Sequence, residues 1–193
     1  LLKADYKGKV ALNGDPLKAG AAFAGVQMVA ISEGGSASDI TKGVDFFKQL
    51  KAAGNFLPVD PTPATIESGQ TPVVFDWSYN QTSIIAKVPT WKLWAPENAP
   101  LQTYYVQAIN KDAPHPAAAR LWQEYLYSAD GQNGWLKGGA TPVLMQEMIT
   151  AGTIDKAAEA NLPKITGKPI IPTQADTDKA KAYLTANWAA AIG

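Results

Sequence analysis

Few side chains in this 193-residue chain have types and spacings suited to chemistry, and most of those are carboxylates and aromatics. Asp76-Trp77-Ser78-Tyr79 sets a carboxylate beside two aromatic residues at the end of the apolar run Pro72 to Phe75. Such a group can hold an organic cation, with the acid pairing to the ammonium and the ring faces stacking on it. The plainer reading is a core tryptophan beside a solvated aspartate. Asn13-Gly14-Asp15 closes a second short apolar run, Lys9 to Leu12, and can offer backbone N–H groups or a carboxylate to a ligand. Asp15 is equally explained as a helix cap, because Pro16 suits a first helical turn. Tyr104 and Tyr105 are adjacent, so on a strand they face opposite ways and at most one points at a ligand.

Catalytic and metal chemistry find little to work with. The absence of cysteine removes disulfides, thiolate ligands and thiol nucleophiles together. His115, the one histidine, lies between Pro114 and Pro116 at a helix entrance, where a structural or exposed role is expected. A lone imidazole without a second His or spaced carboxylates is poor metal-binding or catalytic material. There is no G-x-S-x-G and no phosphate loop, so an enzyme is not expected and no cofactor or metal is implied. Lys+Arg and Asp+Glu are both 17, and this balance gives no reason to propose nucleic acid or an anionic membrane as partner. No apolar run approaches the roughly 20 residues that span a bilayer.

The elements that must position these groups alternate between strand and helix, which argues for an α/β architecture. Strands are predicted at Lys9–Leu12, Pro72–Trp77, Trp91–Ala95 and Tyr104–Ile109, with an edge segment at Phe56–Val59 interrupted by Pro58. The Ala-rich stretch Leu17 to Ile31, starting from Asp15-Pro16, predicts a helix packed closely on a sheet. Ser36 or Ser38 can cap a second helix carrying Ile40, Val44, Phe47 and Leu50 on one face and stopped by Gly54. Thr62 or Thr65 starts a short helix ending at Gly69. His115-Pro116 opens a helix with Ala118, Leu121, Trp122, Tyr125 and Leu126 on one face, and Ser128 caps a successor ending at Gly138-Gly139. Further helical segments are expected near 143–160 and 176–191. Trp122 and Trp188 are expected in the core.

Three stretches, in order, resemble the type II periplasmic binding proteins, the superfamily of maltose, polyamine and ferric-iron receptors. The first is Tyr6-Lys7-Gly8-Lys9-Val10-Ala11-Leu12-Asn13-Gly14-Asp15-Pro16, similar to the strand and loop that open the second lobe. The second is Ile66-Glu67-Ser68-Gly69-Gln70-Thr71-Pro72-Val73-Val74-Phe75-Asp76-Trp77, similar to the helix, Gly, strand and aromatic element that ends at the ligand cleft. The third, and most specific, is Ala108-Ile109-Asn110-Lys111-Asp112-Ala113-Pro114-His115-Pro116, with Ser128-Ala129-Asp130-Gly131-Gln132 after it.

The resemblance implies a type II lobe, a mixed sheet flanked by helices, plus the returning strand and helices of another, incomplete lobe. Residues 1–102 would form the second lobe, 103–139 the returning first-lobe strand and helices, and 140–193 a C-terminal helical segment packing on the lobes. Nothing here corresponds to the long N-terminal segment that builds most of the family's first lobe, so the chain is expected to be a fragment. The implied function is capture of a small solute by hinge closure, for an ABC permease in the cytoplasmic membrane, at the periplasmic or extracytoplasmic face. The complete protein is expected to be a monomer. Implied ligand contacts are Asn13, Asp15, Asp76, Trp77, Tyr79, Tyr104 and Tyr105, with the family's cleft aromatic falling on Trp77. A polyamine-like cation fits this set best, and ferric iron or a phosphonate is the alternative. The tyrosine pair of ferric receptors belongs to the element occupied here by Asp76 to Tyr79, which offers only Tyr79. A ligand-sensing domain uncoupled from transport is the other reading, since fold does not fix function.

Overall fold

A computed structural model of the protein describes residues 1–193. In chain order the elements are β1 (Val10–Leu12), α1 (Gly20–Ser32), α2 (Thr41–Ala52), α3 (Pro63–Glu67), β2 (Val73–Phe75), α4 (Ser78–Lys87), α5 (Pro116–Leu126), α6 (Ala129–Lys137), α7 (Met145–Ala151), α8 (Lys156–Ala160) and α9 (Gln174–Ile192). They fall into two compact units. Unit 1 comprises residues 1–77, 83–103 and 165–193, and unit 2 comprises residues 78–82 and 104–164.

Unit 1 is built on a small parallel sheet. β1 and β2 pair with Val10 opposite Val73, Ala11 opposite Val74 and Leu12 opposite Phe75, and a bridge joins Val10 to Phe56 on the other side of β1. β1 is therefore flanked on both edges and all three of its residues are buried. A parallel pair needs a long crossover, and α1, α2 and α3 supply it. α1 lies close on the sheet, where a Cβ at Gly25 would sit 3.0 Å from the Phe75 side chain and 3.2 Å from that of Leu12. The predicted tight helix–sheet packing is thus observed, and its cause is the missing side chain at Gly25.

The unit's core centres on Phe47 of α2. Its ring meets Phe46 at 5.9 Å, Phe56 at 5.8 Å, Phe75 at 5.4 Å and Trp188 at 5.8 Å, all edge-on. The predicted apolar face of α2 is confirmed, with Ile40, Val44, Phe47 and Leu50 all buried. α9 closes the core with Ala180, Leu184 and Trp188, and Trp188 takes the core position expected of it. Lys51 Nζ donates to the carbonyls of Ile192 and Gly193, a cation placed at the negative end of α9. Asn55 is fully buried and its Nδ2 donates to the carbonyls of Leu1 and Lys3, at 2.8 and 2.9 Å, leaving its Oδ1 without a partner.

Helix ends follow their capping chemistry, with two departures. The predicted Thr62 start is a full capping box with Thr65, and α3 ends where Gly69 turns to φ 76°. α1 begins at Gly20 rather than after Asp15, because Gly14 at φ 97° folds the chain so tightly that its Cβ would meet that of Ala19 at 2.6 Å. The intervening residues form a turn in which the Ala19 N–H donates to the Asp15 carbonyl. At α2 neither Ser36 nor Ser38 caps: Asp39 Oδ1 accepts from Thr41 N–H, while Ser36 Oγ accepts from Asp39 N–H.

Unit 2 is helical. Pro116 opens α5 as predicted, and Ser128 Oγ caps α6 by accepting from Gly131 N–H at 3.2 Å. Its buried cluster is small: Leu136, Met148 and Ile154, with Leu144, Met145, Ala158 and Leu162 against it.

Three expectations are corrected. Trp91–Ala95 forms no strand, since it is bracketed by Pro89 and Pro96 and Trp94 is exposed. Tyr104–Ile109 forms no strand either, because no sheet edge pairs with it. Trp122 stacks on Tyr125 at 5.4 Å on an exposed face of α5 and is not in the core. α4, in turn, was not foreseen: only Ile84 is buried along it, so its sequence carries little helical periodicity.

Two outcomes test this account. Phe47→Ala should cost about 3–5 kcal/mol in urea unfolding, because four rings lose their common contact. The carboxyl of Asp176 is held below its usual range by hydrogen bonds from the Thr173 hydroxyl and N–H at the start of α9. A depressed folded value stabilises above the unfolded value and is lost as pH falls through the folded one. Thr173→Ala should therefore lower the melting temperature at neutral pH, and thermal melts should show that difference shrinking on the acid side of the usual carboxylate range.

Candidate functional site

The parallel register decides where the first set of predicted residues meets. β1 and β2 end together at Leu12 and Phe75, and the Asn13 N–H extends the ladder by donating to the Phe75 carbonyl at 3.0 Å. The next residues of the two strands, Asn13 and Asp76, are thereby placed side by side. Asn13 Nδ2 donates to Asp76 Oδ1 at 2.7 Å, and the Trp77 N–H donates to the same oxygen at 2.7 Å. Asn13, Asp76 and Trp77 are all half-buried. Two donors on one oxygen fix the plane of the carboxylate, and the group lies at the carboxyl ends of parallel strands, where open α/β sheets bind ligands.

Asp15 lies in the turn after Asn13 but is engaged locally. Its Oδ1 accepts from Leu17 N–H at 3.0 Å and its Oδ2 pairs with Lys18 at 3.3 Å, both at the exposed surface. It does not cap α1, whose N-cap is Ala19.

The tyrosines belong to unit 2. Tyr79 stands in the first turn of α4 and its hydroxyl shares a hydrogen bond of 2.9 Å with that of Tyr105. Tyr104 and Tyr105 are both exposed. The Tyr79–Tyr105 pairing was not legible in the sequence, because it joins a helix start to a segment 26 residues later. No sequence signal marked α4 itself.

Elsewhere in unit 2 a pocket is lined by Thr82, Leu136, Lys137, Gly139, Asp155 and Asn161. Within its lining Lys137 and Asp155 pair at 3.4 Å. The Ala158 N–H, which Asp155 caps, and Lys137 hold that carboxyl below its usual range. None of the predicted site residues lies there. No group of three or more His, Cys, Asp and Glu side chains is placed to hold a metal ion, and no helix is long and apolar enough to cross a membrane.

A fixed carboxylate and an amide meet at the strand ends, next in sequence to a tryptophan, and these are groups that can recognise a charged or polar molecule.

Comparison with known proteins agrees. A search of curated proteins found no match. Among solved structures, one described as an ABC transporter from Clostridium perfringens ATCC 13124 matches with a TM-score of 0.65 at 14% identity. The match covers 100% of this chain and 61% of the other, so the chain spans under two thirds of that protein. At this identity the likeness shows the fold. The family model for bacterial extracellular solute-binding proteins matches residues 1–170. A family of solute-binding proteins is one of binding rather than catalysis, and with the match running through both strands, Asn13, Asp76 and the tyrosines, the chain belongs to the bacterial extracellular solute-binding protein family.

Proposed function

We propose that the chain is the solute-capturing part of an ABC importer and that Asn13, Asp76 and Trp77 hold the cationic end of a small polyamine-like solute. The observation that supports this best is the Asn13 Nδ2 to Asp76 Oδ1 hydrogen bond at the carboxyl ends of paired strands. It orients a negative charge before any ligand arrives, and pre-orientation lowers the cost of binding. Trp77, next in sequence, supplies an aromatic surface of the kind that attracts ammonium groups. In this reading unit 1 belongs to the second lobe of a two-lobed protein and residues 103–139 to the returning part of the first. The whole protein works as a monomer at the periplasmic or extracytoplasmic face, closes about a hinge on its solute and delivers it to a permease in the cytoplasmic membrane.

A specific observation supports a second ligand class. The Tyr79 and Tyr105 hydroxyls, 2.9 Å apart, would become two hard oxygen donors on losing their protons, which suits ferric iron. A phosphonate has less in its favour, because the Asp15 carboxylate stands in the loop that leads to α1.

Thermal-shift measurement on the complete polypeptide, with spermidine, ferric citrate, a phosphonate and a sugar, separates these. Spermidine at about 100 times its dissociation constant should stabilise by roughly 2.7 kcal/mol. Asp76→Asn keeps an Oδ1 to accept from Asn13 and Trp77 but removes the charge, so spermidine affinity should fall about 10- to 100-fold with the unliganded melting point little changed. Trp77→Ala should weaken binding about 5- to 30-fold. A shift with ferric citrate alone, with a visible phenolate-to-iron band that Tyr79→Phe abolishes, would replace the amine reading with the iron one.

A further inference from the structure

Asn-Gly is among the dipeptides at which a chain most readily modifies itself, and it occurs here at Asn13-Gly14 and at Asn133-Gly134. In that reaction the backbone nitrogen of the following residue attacks Cγ of the asparagine. The Cγ–Nδ2 bond breaks, and ammonia leaves with the proton that the attacking nitrogen gives up. Water then opens the cyclic succinimide, to an aspartate by entering at Cγ or to an isoaspartate by entering at the backbone carbonyl. Glycine in the second position leaves the attacking nitrogen unscreened, since it has no Cβ. The carboxamide must be free to turn onto that nitrogen, so a folded chain sets the rate by what holds the two groups.

Asn133 is held at both ends of its carboxamide. It lies inside α6, its Nδ2 donates to the Thr153 carbonyl at 2.8 Å, and its Oδ1 accepts from the Asp155 N–H at 2.8 Å. Helical side chains also lean toward the helix N-terminus, away from the next residue's nitrogen. Asn13 is held more narrowly. It lies just past the end of β1, half-buried, with its Nδ2 donating to Asp76 Oδ1 at 2.7 Å. The Gly14 N–H beside it donates to the Leu12 carbonyl at 2.9 Å. Gly14 cannot readily be exchanged for a bulkier residue, because it turns at φ 97° and a Cβ there would sit 2.6 Å from that of Ala19. The turn after β1 therefore demands the following residue that leaves Asn13 most open to attack.

We infer that Asn13-Gly14 is a self-modification site whose rate the Asp76 carboxylate sets, by holding the Asn13 carboxamide off the Gly14 nitrogen. Conversion replaces an amide donor with a carboxylate facing Asp76, a like-charge contact where the hydrogen bond was. The isoaspartate form also inserts a methylene into the backbone at the end of β1 and separates the pair. Its effect on solute capture rests on the proposed role of Asn13, Asp76 and Trp77; the modification itself does not.

Peptide mapping by mass spectrometry tests this on the folded complete polypeptide at mildly alkaline pH, with Asn133 as the control in the same molecule. Asn13 should convert about 10-fold faster in Asp76→Ala, because the reactive state then opens without breaking a charge-assisted hydrogen bond. Asp76→Asn keeps an acceptor, but an uncharged and weaker one, so its rate should lie between the other two. Asn133 should stay slow throughout. An Asn13 rate unchanged in both variants, or rising only in step with Asn133 through general unfolding, would overturn the inference. Converted chains gain a negative charge and separate by ion exchange, and the isoaspartate form should bind spermidine about 10-fold more weakly. Equal affinity in the two forms would remove the effect on capture. No affinity in either would sink the amine reading instead, and the Asn13 rates would still decide the modification site.

Discussion

The register of β1 on β2 is the constraint on which the rest of unit 1 depends. Both strands are three residues long, too short to hold a register by their own hydrogen bonds. A slip by one residue would turn Val10 and Leu12 to the opposite face and carry Asn13 away from Asp76. What prevents the slip is packing behind the sheet. Phe75 is held against Phe47 from one side and under Gly25 from another, while the Val10–Phe56 bridge secures the far edge of β1. Polar geometry at the strand ends is therefore set by apolar contacts, and Asn13 and Asp76 meet because Leu12 and Phe75 cannot move.

Those contacts explain which parts of the fold were legible in the sequence. α2 and α3 could be read because each carries its own evidence, a buried face at helical spacing in one and a threonine capping box in the other. α5 and α6 likewise announce their starts, through Pro116 and Ser128. α1 was misplaced at its start because Asp15-Pro16 is valid helix-start chemistry that Gly14 overrides with a tight turn. The segment Tyr104–Ile109 has strand composition, but composition reports suitability for a sheet and is silent about whether a partner is present. Trp122 shows the same gap: helical spacing identified an apolar face correctly and could not say what covers it.

The site was legible only in pieces. Asp76 and Trp77 stand out as a carboxylate and an aromatic ending an apolar run, and Asn13 as the end of another. Their meeting is a long-range fact, a hydrogen bond across 63 residues of sequence, and depends on parallel pairing that neither run specifies. Asp15, equally prominent in the sequence, is committed to Leu17 N–H and Lys18. The difference between the two aspartates lies in what surrounds them. Asp15 finds partners within three residues on an exposed turn, whereas Asp76 is oriented by a group from a different strand.

That distinction bears on what the proposed capture of a solute would ask of these residues. A carboxylate whose Oδ1 accepts from both Asn13 Nδ2 and the Trp77 N–H gains in orientation. A binding site that must release its cargo after capture needs a fixed charge, an aromatic surface and little cost of reorganisation. The strand-end group of unit 1 supplies the first by hydrogen bonding, the second by the residue that follows it, and the third by the packing of Phe75 beneath. In the proposed reading, recognition is a by-product of how firmly the core holds two short strands in register.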